Sequence, residues 1–208
     1  TATLADNDYE SSSGRLTFAG AAGESQTFTV QINGDKKIEA DENFRVALSN
    51  VTGGFSNLPL AQTTAVVTTI TNDDAGIIEV IPVNGSETGP VPGSFTFRFK
   101  DGVVSDAPSV VYYGLTGTAL SSGPTYDYTS NVPVGSVTIP ANTNSFTLNL
   151  DVNDDQITEG TETAVLTTGA VSSPYGIAIV NSPQSLEIAD NDNAILQITC
   201  GTEDEGHT

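Results

Sequence analysis

Ser94-Phe-Thr-Phe-Arg-Phe99 sets an aromatic ring on every second residue, with Thr and Arg between them. Side chains alternate across a β-strand, so this spelling puts all three rings on one face. The same two-residue period runs outward in both directions. Upstream lie Ile77-Ile-Glu-Val-Ile81, Ala65-Val-Val-Thr-Thr-Ile70, Phe44-Arg-Val-Ala-Leu48, Thr27-Phe-Thr-Val-Gln-Ile32 and Arg15-Leu-Thr-Phe18. Downstream lie Val110-Val-Tyr-Tyr113, Phe146-Thr-Leu-Asn-Leu150 and Ala164-Val-Leu166. Gly, Pro, Asn, Asp and Ser punctuate these runs, and Thr, Val, Ile and Tyr fill them, as a pleated surface favours. No window of a dozen residues carries the 3.6-residue apolar stripe of a helix. Short strands at this spacing predict an all-β sandwich without substantial helix.

Charge narrows the choice of partners. The 208 residues include 26 Asp and Glu against 6 Lys and Arg, a formal net charge of −20. Phosphates would be repelled, which argues against nucleic acid and anionic membrane surfaces. No apolar run approaches the roughly 20 residues of a membrane helix, so no membrane insertion is expected. A hydrophobic content of 37% is enough to bury cores, which argues against a disordered acidic tail. One His, at 207, and one Cys, at 200, leave little nucleophile–base machinery. A glycosidase-type carboxylate pair would need substrate-positioning groups that Trp-free sequence does not supply. The chain is not expected to be an enzyme.

Landmarks recur at a spacing of 118 to 120 residues. Asp8-Tyr9 returns as Asp127-Tyr128. Asn33-Gly-Asp35…Glu39-Ala-Asp-Glu42 returns as Asn153-Asp-Asp155…Glu159-Gly-Thr-Glu162. Asn72-Asp-Asp74 returns as Asp190-Asn-Asp192, and Ile77–Glu87 as Ile195–Glu205. The repeat predicts a partial unit over residues 1–74, a complete one over 75–193, and the first strand of a third over 194–208. Residues 1–76 then hold only about four of seven strands, leaving apolar faces and backbone edges open. Ile195–Cys200 likewise reads as a first strand without its module. Either the native chain continues beyond both ends, or another copy donates the missing strands. The junctions Asp74-Ala-Gly76 and Asp192-Asn-Ala194 are so short that neighbouring units must nearly touch.

The acidic residues fall at strand ends. In the second unit they are Glu87, Asp127, Asp154, Asp155, Glu159, Glu162, Asp190 and Asp192; in the first they are Asp8, Asp35, Glu39, Glu42, Asp73 and Asp74. Strand-end loops cluster at the ends of a sandwich, and carboxylates meeting there repel unless a cation neutralises them. Oxygen donors without His or Cys select Ca²⁺ over zinc or copper. The same residue types also suit turns and a soluble surface. Gly34 stands where the second unit has Asp154, so the first unit is one carboxylate poorer.

These landmarks resemble the Calx-beta domain family. The resemblance rests on Asp8-Tyr9, Gly14-Arg-Leu-Thr-Phe18, Gly34-Asp35…Glu39…Glu42-Asn-Phe44 and Asn72-Asp-Asp74. In the second unit it rests on Asp127-Tyr128, Gly135-Ser-Val-Thr-Ile139, Asp154-Asp155…Glu159…Glu162-Thr-Ala164 and Asp190-Asn-Asp192. It implies tandem immunoglobulin-like, seven-strand Greek-key sandwiches that bind Ca²⁺ at the end facing the next module. By the same implication the acidic residues above are ligands, a backbone carbonyl near Ile157 joins them, and Glu205 opens the site of a third unit. Gly34, Asn72, Asn191 and Ala164 depart from the family pattern.

The expected function is a calcium-binding structural repeat of a long, secreted bacterial surface adhesin, with Ca²⁺ at module junctions stiffening the array for adhesion or gliding motility. Its expected partners are adjacent repeats of the same chain and a cell-surface polysaccharide or protein. The alternatives are a carbohydrate- or protein-binding module and a regulatory Ca²⁺ sensor of the exchanger type.

Overall fold

The computed structural model describes residues 1–49, 52, 65–202 and 206. In chain order its strands are β1 (Lys37–Ile38), β2 (Glu42–Val46), β3 (Val66–Ile70), β4 (Gly76–Val83), β5 (Gly85–Ser86), β6 (Gly93–Phe99) and β7 (Val104–Ser105). They continue as β8 (Ser109–Gly117), β9 (Tyr128–Ser130), β10 (Ser136–Ile139), β11 (Ser145–Val152), β12 (Glu162–Ser172), β13 (Ile177–Val180) and β14 (Gln184–Ala189). The 3-10 turn Lys100–Gly102 is the one helical piece among the described residues.

Alternation in the sequence becomes alternation in burial. Two five-stranded sheets, ordered β13-β4-β6-β11-β9 and β10-β8-β12-β14-β5, face each other. Phe95, Phe97 and Phe99 on β6 lie between them, with Ile78, Val80, Leu148 and Leu150. From the other sheet come Val111, Val137, Leu166 and Leu186. Fully burying one such side chain is worth roughly 1.5–3 kcal/mol, so this stripe-on-stripe contact holds the sheets together.

The opening strands pair with the closing ones in parallel, β4 with β13 and β5 with β14. The chain therefore comes in at one end of the sandwich, at Gly76, and goes out past Ala189 at the other. The loops before β9, after β11, before β12 and after β14 all open at that outgoing end.

Residues 1–74 repeat part of this plan. β2 and β3 pair Glu42 with Ile70 and Phe44 with Thr68; β12 and β14 pair Glu162 with Ile188 and Ala164 with Leu186. Loop hydrogen bonds repeat as well. The amides of Ala2 and Ala119 donate to the carbonyls of Asn43 and Thr163, each at 3.0 Å. Those of Asn33 and Asn153 donate to Asp8 and Asp127 at 3.0 and 2.8 Å.

Three expected strands are not formed. Arg15–Phe18 and Thr27–Ile32 are irregular apart from an isolated Tyr9–Ile32 bridge, and Ile195–Cys200 pairs with nothing among the described residues. The cause is missing neighbours. In the second unit the corresponding β10 and β11 pair with β8 and β6, and among the described residues no such strand lies beside Arg15–Phe18 or Thr27–Ile32. The tail corresponds to β4, which lies between β6 and β13. Without a neighbouring strand, strand-forming side chains alone cannot supply partners for the backbone N–H and C=O groups.

Candidate metal centre

Four loops meet at the outgoing end of the second unit. Asp127 immediately precedes β9, Glu162 opens β12, Glu87 follows β5, and Asp190 and Asp192 follow β14. Gly117, the last residue of β8, lets that strand close on β12 beside Glu162. Its φ of +130° suits a residue without Cβ, and a side chain there would strike the Thr163 carbonyl. The carboxylates gather in two groups, Asp127–Glu159–Glu162 and Glu87–Asp190–Asp192. Within each group one ligand oxygen per residue lies within 4.8 Å of the others. Calcium–oxygen bonds of about 2.3–2.6 Å keep two donors on one ion within about 5 Å, so each group fits a Ca²⁺ ion.

Electrostatics at this end points the same way. Burial raises the proton affinity of Glu162, and a hydrogen bond with Asp127 together with repulsion from Asp127, Glu159 and Glu87 takes its pKa to about 7. Glu159 is also raised, by burial and then by Asp127 and Asp155. Burial raises Glu87 against the opposing hydrogen bond from the Asn191 amide, with Asp190, Asp155 and Asp192 adding repulsion. Asp192 is raised by burial and by Asp190, Asp154 and Asp155, and its Oδ2 is a buried acceptor without a donor. Asp190 goes the other way because the amides of Asp192, Gly160 and Glu159 donate to it, at 2.7, 2.8 and 3.0 Å. Asp190 thus pins two loops, while the carboxylates around it lack a positive partner.

Asp154 and Asp155 stand at the edge of these groups. Asp154 accepts from Asn191 Nδ2 at 3.1 Å, and Asp155 Oδ1 accepts from the Ile157 amide at 2.7 Å. The Ile157 side chain is exposed. Glu205 lies outside the described residues.

The first unit repeats one group. Asp8, Glu39 and Glu42 bring one oxygen each within 4.8 Å, and with Asp35, Asp73 and Asp74 they line a concavity of about 40 Å³. Among the described residues no second group forms in this unit. Two residues have roles that the sequence pattern did not announce. Lys37 Nζ lies 2.9 Å from Glu39, whose carboxylate raises the lysine's pKa; the counterpart of Lys37 is Ile157, without charge. Asn191 ties Asp154 to Glu87 by donating to both. Lys36-Lys37 was visible as a third of the chain's six basic residues, set inside an acidic stretch.

A β-sandwich with carboxylates from several loops converging at one end defines a cation-binding module. The sequence model of the Calx-beta domain family matches residues 1–75 and 95–192, and the chain belongs to that family. Calx-beta domains bind Ca²⁺, and the acidic groups described above suit that ion. No curated protein matches the chain. Similar solved structures include the apo-form Calx CBD1 domain, at 16% identity and a TM-score of 0.38, covering 55% of this chain and 98% of that one. CBD12 from CALX1.2 is 14% identical with a TM-score of 0.41, and the calcium binding domain CBD12 of CALX1.1 is 21% identical with a TM-score of 0.38. Each of these covers 56% of this chain, which spans 45% and 42% of their respective lengths.

Proposed function

We propose that the chain is a calcium-binding structural segment of a tandem array in a large, secreted bacterial surface protein of the adhesin kind. One partial module over 1–74, one complete module over 75–193 and the start of a third over 194–208 make up the segment. It acts as a spacer and not as an enzyme. The observation that carries this reading is the convergence of Glu87, Asp127, Glu159, Glu162, Asp190 and Asp192 at the end where the chain goes on toward the next unit. Asp154, Asp155 and the Ile157 carbonyl complete the ligand set of the second module. Asp8, Asp35, Glu39, Glu42, Asp73 and Asp74 serve the first, at its joint with the second. Bound Ca²⁺ cancels the repulsion among these groups and holds neighbouring units in a fixed relation. An array stiffened in this way presents its far end to a surface polysaccharide or protein, for adhesion or gliding.

A melt of the full chain with Ca²⁺ and with excess EDTA tests the reading. Calcium at about 100 times its dissociation constant adds roughly 2.7 kcal/mol per site that only the folded chain offers. The melting temperature is expected to fall by several degrees on chelation. Superimposable melts would overturn the calcium assignment.

A further inference from the structure

The first unit's acidic loop does more than present carboxylates. Between Asp35 and Glu39 its backbone becomes β1 and pairs in parallel with β7 of the following module, Lys37 opposite Val104 and Ile38 opposite Ser105. The amides of Val104 and Asp106 donate to the carbonyls of Lys36 and Ile38, at 3.0 and 3.1 Å. Ile38 is 2% exposed and belongs to the core cluster of the second module. Gly76 leaves it room, since a Cβ there would come within 3.0 Å of Ile38 Cδ1. Lys36 Nζ donates to the Asp101 carbonyl at 3.0 Å, so the stretch is fastened at backbone, plug and head group.

The second module carries the same stretch with nothing seated on it among the described residues. Asp155 Oδ1 accepts from the Ile157 amide as Asp35 Oδ1 accepts from that of Lys37, at 2.7 and 2.9 Å, which fixes the register of the two loops. Gln156, Ile157 and Thr158 are exposed, Ile157 by 41%. We propose that Gln156-Ile157-Thr158 is a docking strand, and that its occupant is the β7-type edge of a following module of the same kind. The joint already formed at Lys36–Ile38 sets this choice of occupant, since among the described residues that stretch pairs with the β7 edge and no other. This inference rests on the tandem-module reading above. An edge strand's free carbonyls recruit amides from an incoming strand, and the plug sets how tightly. Thr158 replaces Ile38 as the inward residue, so the second joint is weaker than the first.

The test uses a lengthened chain in which Asn193 is followed by a second copy of residues 76–193 in place of the present tail, which keeps Gly76 at the head of the added copy and removes Cys200. Lys37→Cys with Val104→Cys in the first copy is the control pair. Ile157→Cys with Val104→Cys in the added copy is the test pair. Both are expected to form a disulfide under mild oxidation, and Thr158→Asp should suppress the second while leaving the first intact. A control pair that cross-links beside a test pair that does not would overturn the proposal, as would failure of both. Calcium titration of the same chain by calorimetry separates the two ideas. Cross-linking without calcium binding would sink the calcium reading and leave the docking strand standing.

Discussion

Phe28, Val30 and Ile32 of the first unit hold the places of Leu148, Leu150 and Val152 in the second, and Phe44 and Val46 hold those of Ala164 and Leu166. Phe44 and Val46 share a strand register with Ala164 and Leu166, whereas Phe28, Val30 and Ile32 form no strand, and the surroundings of the two sets differ. Leu148, Leu150, Ala164 and Leu166 are completely buried under β4, β6 and β8. Phe28 is 49% exposed, and the first unit's set lines an open groove of about 470 Å³. The carboxylates follow suit. Those of the second unit form two groups under partial burial, whereas the first has one group in which Lys37 already engages Glu39. One spelling thus yields a packed module where the opposing strands are present, and an open half where they are not. Strand propensity is a local property, but a formed strand needs neighbours to pair with and a core needs both sheets.

The widest separation between the halves lies in their apolar faces. Leu148→Ala opens a cavity in the closed core and should cost about 3–5 kcal/mol, measured as a shift in urea midpoint. Phe28→Ala removes a half-exposed ring and should change stability by no more than about 0.5 kcal/mol. Equal losses would mean that the first face is covered in solution.

The acidic groups give the next largest contrast. Glu162→Gln removes one proposed ligand and one repelling charge from the second unit. Calcium affinity there should fall about tenfold, equivalent to about 1.4 kcal/mol, while stability in EDTA rises. Glu42→Gln should shift both quantities by less. A calorimetric titration that ranks the two variants the other way would reverse the comparison.

Acidity sharpens the same point. The folded state raises the pKa of Glu162 to about 7 from an ordinary value of 4.5, and Glu159, Glu87 and Asp192 move in the same direction. A carboxyl that holds its proton more tightly when folded stabilises the fold below the ordinary value and loses that effect as pH rises. In EDTA the second unit should therefore weaken between pH 4.5 and 7. Asp190 has the opposite shift, lowered from 3.8, so it acts below this window. With calcium present, affinity should rise across the window because the ion needs ionised ligands. An apo stability that climbs from pH 4.5 to 7 would contradict the crowding of these carboxylates.

The smallest expected effect concerns Lys37. Replacing it by Met removes the competing cation from Glu39 and keeps the stem length, so the first unit's calcium affinity should rise a few-fold with little change in the melt. An unchanged affinity would show that the ion pair opens freely when calcium arrives.

Much of this organisation was legible in the residues themselves. The rings of Phe95, Phe97 and Phe99 declared their strand and its inner face, and the recurrence of Asp8, Asp35, Glu39 and Glu42 declared the repeated acidic loops. Ile38 was not legible as a core residue. It sits in a polar loop, and only the next module's β7 and Gly76 bury it. Arg15–Phe18 and Thr27–Ile32 carry strand chemistry without neighbours, which no local pattern reveals. The division of the second unit's carboxylates into two groups depends on distances between loops far apart in sequence, so spacing alone left them as one set.

The parallel pairing of β4 with β13 and of β5 with β14 has a mechanical consequence. Because the chain comes in at one end and goes out at the other, tension along a chain of such modules slides the first and last strands past each other lengthwise. Their hydrogen bonds are then loaded together in shear and must fail together, whereas an antiparallel terminal pair would peel open one rung at a time. The six residue pairs of those two ladders make the module a link that resists pulling out of proportion to the length of its seam.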